Sequence, residues 1–194
     1  HTRYSTIGTI DPKDIQPIVT GHPFGIGIVH NGNLVNFSAL KDELKKTSKR
    51  HIFSQNDIEA ILHLFSEGLL SKGLSGAIDI SHFFDAVESI YERTIGGYSV
   101  ICQVADHGLL AFKDPHGIRP LVWGKGVING KEVHCVASES NVLQFLGLDI
   151  VRDLRPAEML YIEKNGRVHT YQSKKSSSRP CMFEWVYFSN PESE

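Results

Sequence analysis

The segment Phe24-Gly25-Ile26-Gly27-Ile28-Val29-His30-Asn31-Gly32-Asn33-Leu34-Val35-Asn36 decides how the rest of the chain is read. The apolar run over 24–30 predicts a buried strand. It runs through Asn31-Gly32 into a helical pattern over 37–47, in which Phe37, Leu40 and Leu44 share one face and Asn36 is placed as an N-cap. Asn-Gly is the strongest two-residue hairpin signal, because both positions accept a positive φ. A helix in place of a second strand argues against a simple hairpin. At a strand end the same pair can turn a backbone N–H and a side-chain amide toward one point. Two such donors stabilise the oxyanion of an acyl-transfer transition state. No nucleophile accompanies them in the neighbouring residues.

Working outward, residues 1–23 are polar, carry Gly8, Pro12, Pro17 and Pro23, and read as loop. Two further helices are predicted at about 57–70 and 81–94, separated by a Gly/Ser-rich linker over 68–76. Ser54 or Asn56 is placed to cap the first of them. Asp79 or Ser81 precedes the second, which buries Phe84, Val87 and Tyr91. From Gly97 the pattern changes to strands. Those over 98–104 and 108–112 form a hairpin through Asp106-His107-Gly108. Strands over 121–123 and 133–136 turn at Asn129-Gly130, and strands over 159–162 and 168–171 turn at Asn165-Gly166. A short helix is expected over 139–145, a solvated Ser/Lys loop over 174–179 and a last strand over 182–188. Helices clustered between antiparallel hairpins predict an α+β fold with helices outside antiparallel sheets.

A chain of 194 residues can bury one sizeable core, so a single domain over 1–194 is expected. The formal net charge of −2 and the lack of a basic stripe weigh against a nucleic-acid partner. No apolar run approaches the ~18 residues of a membrane span. Cys102, Cys135 and Cys181 are far apart and form neither a disulfide framework nor a paired metal motif. Cytoplasmic residence is the simplest expectation.

Several clusters can carry chemistry, each with an ordinary alternative. Arg3 with Thr6 can clamp a carboxylate through the guanidinium fork, or be a surface arginine beside a cap. Asp57 can hold a ligand ammonium, or with Glu59 merely complement a helix dipole. Asp114-Pro115-His116-Gly117 is a turn, and Arg119 after it is expected to pair with a buried carbonyl or carboxylate. Ser138 reads as an N-cap, since no nucleophile elbow surrounds it. His30 and His134 have no second ligand at zinc spacing and read as core or rim residues.

Taken in order, the motifs Arg3-Tyr4-x-Thr6, Gln16-Pro17, His30-Asn-Gly-Asn-Leu34, Asp57-x-Glu59, Gly96-Gly-Tyr-Ser99, Asp114-Pro-x-Gly-Ile-Arg-Pro-Leu121, Ala137-Ser-Glu-Ser140 and Phe183-Glu-Trp-Val-Tyr-Phe-Ser-Asn-Pro-Glu-Ser193 make the chain resemble class II glutamine amidotransferase domains. Within them it is most similar to the glutaminase domain of the amidophosphoribosyltransferase family. The resemblance implies an N-terminal-nucleophile αββα sandwich. It implies hydrolysis of glutamine to supply ammonia for phosphoribosylamine formation from phosphoribosyl pyrophosphate, the first committed step of purine biosynthesis. Arg3, helped by Thr6 and with Tyr4 shaping the pocket, would bind the glutamine α-carboxylate. Asp57 would bind the α-ammonium, and the Asn31 amide with the Gly32 N–H would form the oxyanion hole. In the intact enzyme it further implies Mg2+, a homo-oligomer and, in some relatives, a [4Fe-4S] cluster, for which Cys181 matches one ligand position.

The family's nucleophile is a cysteine at the very N-terminus whose α-amine serves as the base. Arg3 lies well downstream of that position in the family pattern. The chain is therefore expected to be missing the first strands, the nucleophile and the phosphoribosyltransferase domain, and to be inactive by itself. Two smaller departures are Ala157 and Asn190, where the family pattern has glycine and arginine. Two alternatives stand beside this reading. One is another class II amidotransferase, such as a sugar-phosphate aminating enzyme. The other is a non-catalytic paralogue that binds an amino acid or a partner.

Overall fold

A computed structural model describes residues 11–71, 78–188 and 193. The chain runs β1 (Ile18–Thr20), β2 (Ile26–Leu34), α1 (Phe37–Thr47), α2 (Ile58–Leu70), α3 (Ile80–Arg93), β3 (Gly96–Val104), β4 (Gly108–Lys113), β5 (Val122–Ile128), β6 (Lys131–Ala137), α4 (Ser140–Phe145), β7 (Asp149–Asp153), β8 (Glu158–Glu163) and β9 (Val168–Gln172). Six strands form one sheet in the order β1-β2-β3-β4-β8-β9, and three form another in the order β6-β5-β7. Every pairing is antiparallel.

Side-chain alternation along the strands stacks these parts into four layers. Ile26 and Ile28 of β2, Val100 and Cys102 of β3, Leu110 and Phe112 of β4, and Met159 and Tyr161 of β8 form the helix-facing core with α1, α2 and α3. On the opposite face, Ala111 and Leu160 meet Leu121, Trp123 and Val136 of the smaller sheet's side. The outer face of that smaller sheet, Val122 with Val133, Cys135 and Ile150, packs on Leu143 of α4. The result is the αββα sandwich of the N-terminal-nucleophile fold. An apolar groove of about 490 Å³, lined by Val19, Val29, Ile101 and Leu109 among others, runs over β1–β4.

Local signals explain most elements. α2 is apolar nearly all round, with Ile58, Ile61, Leu62, Leu64, Phe65 and Leu69 buried, because it touches α1, α3, β1 and β2. α3 starts at a reciprocal cap in which Asp79 Oδ1 accepts from Ile80 N–H at 2.6 Å and His82 Nδ1 accepts from Asp79 N–H at 3.0 Å. Asn129 and Gly130 hold φ of 53° and 73°, the paired left-handed turn that joins β5 to β6.

Six expectations need correction. The N-cap position of α2 is held by Asp57, without a side-chain cap bond, and not by Ser54 or Asn56. Residues 18–20, read as loop, form the edge strand β1. Three residues are too few to show a period. β7 was not expected, and its alternation is masked by Asp149, Arg152 and Asp153. Residues 182–188 are helical, ending in a π-helical turn over Glu184–Phe188, where a strand is predicted. A short apolar run does not distinguish strand from helix by period alone. Asn36 stands at the N-cap position of α1, as the sequence predicts, but its side chain makes no cap bond. Its Nδ2 donates to Arg93 O at 2.8 Å and its Oδ1 accepts from Ile95 N–H at 2.9 Å, tying the start of α1 to the end of α3. Ser138 does not cap α4 either; the residue at that position is Glu139, without a side-chain cap bond.

Candidate active site

Asn31-Gly32 lies inside β2, paired with Ser99 and Tyr98 of β3, and is not a turn. The strand reaches Leu34 because β3 starts at two glycines. A Cβ at Gly96 would sit 2.2 Å from Asn33 O. Gly32 has φ of +144° and faces the same crowding: its Cβ would lie 2.2 Å from Gly97 O. Only glycine fits both the conformation and the approach.

Asn31 projects away from the helices, toward the smaller sheet's side. There Arg119 Nη2 and Nε donate to its Oδ1 at 2.6 and 3.2 Å. A guanidinium carries donors only, so the amide oxygen must face it. The amide Nδ2 is thereby turned outward, without a partner among the described residues. Arg119 Nη1 also donates to Glu184 Oε2 at 2.7 Å, with the two side chains 20% and 8% exposed.

Arg119 follows a loop organised by one buried carboxylate. Asp114 Oδ1 accepts from His116 N–H at 2.7 Å and Gly117 N–H at 2.9 Å. Its Oδ2 accepts from Ile118 N–H at 3.0 Å and Tyr98 N–H at 3.1 Å. Four backbone donors on a fully buried group stitch this loop to β3 beside Gly32. Gly117 adopts φ of +67°, and a Cβ there would meet Pro156 Cγ at 2.6 Å.

On the helix side of β2, His30 links three segments. Gln16 Oε1 accepts from His30 N–H at 2.7 Å, which leaves Gln16 Nε2 facing His30 Nδ1 at 3.0 Å. An amide nitrogen can only donate, so Nδ1 accepts and Nε2 is the ring nitrogen that carries a proton. That nitrogen is 3.0 Å from Asp57 Oδ1. Asp57 Oδ2 accepts from Leu34 N–H at 2.6 Å, fixing the carboxylate at the end of β2, within roughly 10 Å of Asn31 along the strand. Burial pushes the Asp57 carboxyl up, but the nearby His30 ring at 3.0 Å and the Leu34 N–H bond outweigh it and hold the group below its usual value. Asp57 is therefore ionised at neutral pH and, at 12% side-chain exposure, still reachable by a ligand.

Glu59, grouped with Asp57 in the sequence, has a different task. It accepts from Phe53 N–H at 2.9 Å, Ser54 N–H at 2.7 Å and Ser54 Oγ at 2.5 Å, holding the loop before α2. Cys102 is fully buried, which pushes its thiol far up, and burial raises the half-buried Cys135 as well. Neither is an activated nucleophile. Arg3, Tyr4, Thr6 and Asn190 lie outside the described residues. Sequence reading singled out Asn31, Gly32 and Asp57 but missed that Gln16 and His30 brace Asp57 and that Arg119 grips Asn31. The only signal was the presence of Gln16 and Arg119 in the motifs.

A family model described as a glutamine amidotransferase domain matches residues 1–145. Among curated relatives, an amidophosphoribosyltransferase of Pasteurella multocida is 38% identical over 194 residues, covering 100% of this chain and 38% of the relative. The amidophosphoribosyltransferase of Escherichia coli strain K12 is 37% identical over 195 residues, with the same coverage of 100% and 38%. The chain thus spans little more than a third of the length of these relatives. The solved structure of a Bacillus subtilis glutamine phosphoribosylpyrophosphate amidotransferase, complexed with ADP and GMP, aligns with a TM-score of 0.77 at 27% identity, covering 100% of this chain and 39% of that one. With that family model matched over 1–145, the chain belongs to the glutamine amidotransferase domain family.

Proposed function

We propose that residues 1–194 are the glutaminase domain of an amidophosphoribosyltransferase. It hydrolyses glutamine and supplies ammonia to phosphoribosyl pyrophosphate bound by a domain outside this sequence. The observation that carries the reading is the Asn31 amide: its oxygen is engaged by Arg119, so its N–H groups are offered beside the Gly32 backbone. Asp57, ionised and braced by His30, receives the α-ammonium of glutamine. Arg3 and Thr6 hold the α-carboxylate, with Tyr4 shaping the pocket. A zwitterionic amino acid needs one such cation and one such anion at fixed spacing.

In this reading a cysteine thiolate, from a segment upstream of residue 1, adds to the side-chain amide carbon. The carbonyl oxygen gains charge against Asn31 Nδ2–H and Gly32 N–H, ammonia leaves on protonation, and water hydrolyses the thioester. Mg2+ and homo-oligomerisation belong to the intact enzyme, with cytoplasmic residence. Cys181 is one possible ligand of an iron–sulfur cluster, but one thiolate cannot hold one, and no group of three or more potential ligands exists among the described residues. No step here runs through either group.

The test is Asn31→Ala in the full-length protein. Glutamine-dependent kcat should fall about 10²–10³-fold, the loss typical of one oxyanion donor. KM should change little, because the interaction strengthens only as charge develops. Phosphoribosylamine formation from free ammonia should persist. Parallel loss of both activities with a lowered Tm would refute the assignment.

A further inference from the structure

We propose that Arg119, itself paired with Glu184, is the positioning residue of the oxyanion hole. The inference rests on Asn31 being the oxyanion donor. An asparagine amide is nearly symmetrical in shape, and a rotation of 180° about its last torsion exchanges donor for acceptor. Turned the wrong way, Asn31 would present a carbonyl oxygen to a developing negative charge. Two guanidinium N–H groups on one Oδ1, at 2.6 and 3.2 Å, exclude that rotamer, since the reverse would set N–H against N–H. The cationic partner also polarises the amide and strengthens Nδ2–H as a donor.

Arg119 is itself held at two ends. The Asp114 loop fixes its backbone through four main-chain N–H bonds. Glu184, 65 residues further on, takes Nη1 at 2.7 Å. Glu184 is the buried member of a helical segment whose Met182, Phe183, Trp185 and Val186 are 62–78% exposed. The ion pair with Arg119 thus connects it to Asn31 through two side chains.

The experiment uses the full-length protein with Arg119→Met, Arg119→Lys, Asn31→Ala and the double variant Arg119→Met/Asn31→Ala. Glutamine-dependent kcat and KM, ammonia-dependent rate and Tm are measured on each. Arg119→Met should lower glutamine-dependent kcat about 10–100-fold with KM within about threefold, because only the transition state uses the oriented amide. Arg119→Lys should recover part of the loss, as a charged donor without the fork. The double variant should be no slower than Asn31→Ala alone, since residues acting as one unit are not additive. Multiplicative losses in the double variant overturn the proposal. So does an undiminished kcat in Arg119→Met. If Arg119→Met fails to fold, Arg119→Lys decides: an unchanged kcat overturns the proposal, and a selective kcat loss with normal Tm supports it. If Asn31→Ala itself leaves glutamine turnover intact, the oxyanion reading falls first and this one with it.

Discussion

Gly32→Ala should separate the site's geometry from its chemistry. An added Cβ would lie 2.2 Å from Gly97 O and 2.6 Å from Tyr98 Cα, where real Cβ atoms keep at least 3.0 Å. The opposing atoms are backbone in the β2–β3 ladder, with Gly32 opposite Tyr98, so no side chain can swing away. Tyr98 is also pinned by its N–H on Asp114 at 3.1 Å and its hydroxyl on Thr94 Oγ1 at 2.7 Å. The end of β2 must therefore shift by about 1 Å, a displacement that costs on the order of 10² in rate when it falls on reacting groups. Overpacking adds about 1–3 kcal/mol, and a non-glycine residue at φ of +144° adds about the same. Together these lower Tm by roughly 4–24 °C for a domain of this size. Glutamine-dependent kcat/KM and ammonia-dependent rate should be measured at a temperature where the variant is folded. The first should fall about 10²-fold and the second should hold. A variant retaining kcat/KM within about threefold would refute both the close approach and the role of the Gly32 N–H.

Asp57→Ala should cost about 2–5 kcal/mol in kcat/KM for glutamine, the range for an unpaired buried charge, with ammonia-dependent synthesis retained. The sign of its pH dependence follows from its depressed pKa. The stability Asp57 contributes is fully present above the unfolded value of about 3.8 and is lost as pH falls through the lower folded value. The Tm gap between wild type and Asp57→Asn should therefore be constant above about pH 5 and narrow below pH 4; a gap that closes nearer neutrality would contradict it. Ala157 is fully buried and holds φ of 55°. Ala157→Gly relieves about 1–2 kcal/mol of left-handed strain but loses about 0.8 kcal/mol of methyl burial and about 0.4–1 kcal/mol to unfolded-chain entropy. These nearly cancel, so a Tm change beyond about 5 °C either way would contradict the balance.

What was legible in the sequence is what repeats over short distances. Helices α1, α2 and α3 and the Asn-Gly hairpins carry their period and turn chemistry locally, and they were read within one or two residues. β1 is too short for a period, and β7 is covered with charge. Met182, Phe183, Trp185 and Val186 are apolar yet exposed, so neither pattern nor core argues for the form of that segment. The candidate site divides along the same line. Asn31, Gly32 and Asp57 stand out because their residue types have few other uses at a strand end or a helix start. The roles of their partners depend on contacts 14 to 88 residues apart, between Gln16 and His30 and between Arg119 and Asn31. No local pattern encodes such a contact. The consequence for Asn31 is specific. Its residue type says only that an amide is present, and an amide offers a donor and an acceptor equally. Which one stays free of Arg119 is decided by that residue's two bonds to Oδ1, and its own neighbourhood, Asp114-Pro-His-Gly-Ile, reads as nothing more than a turn. The proposed oxyanion hole would thus be a property of two paired strands and a loop brought together, and the residue that orients the Asn31 amide is the one the sequence leaves looking structural.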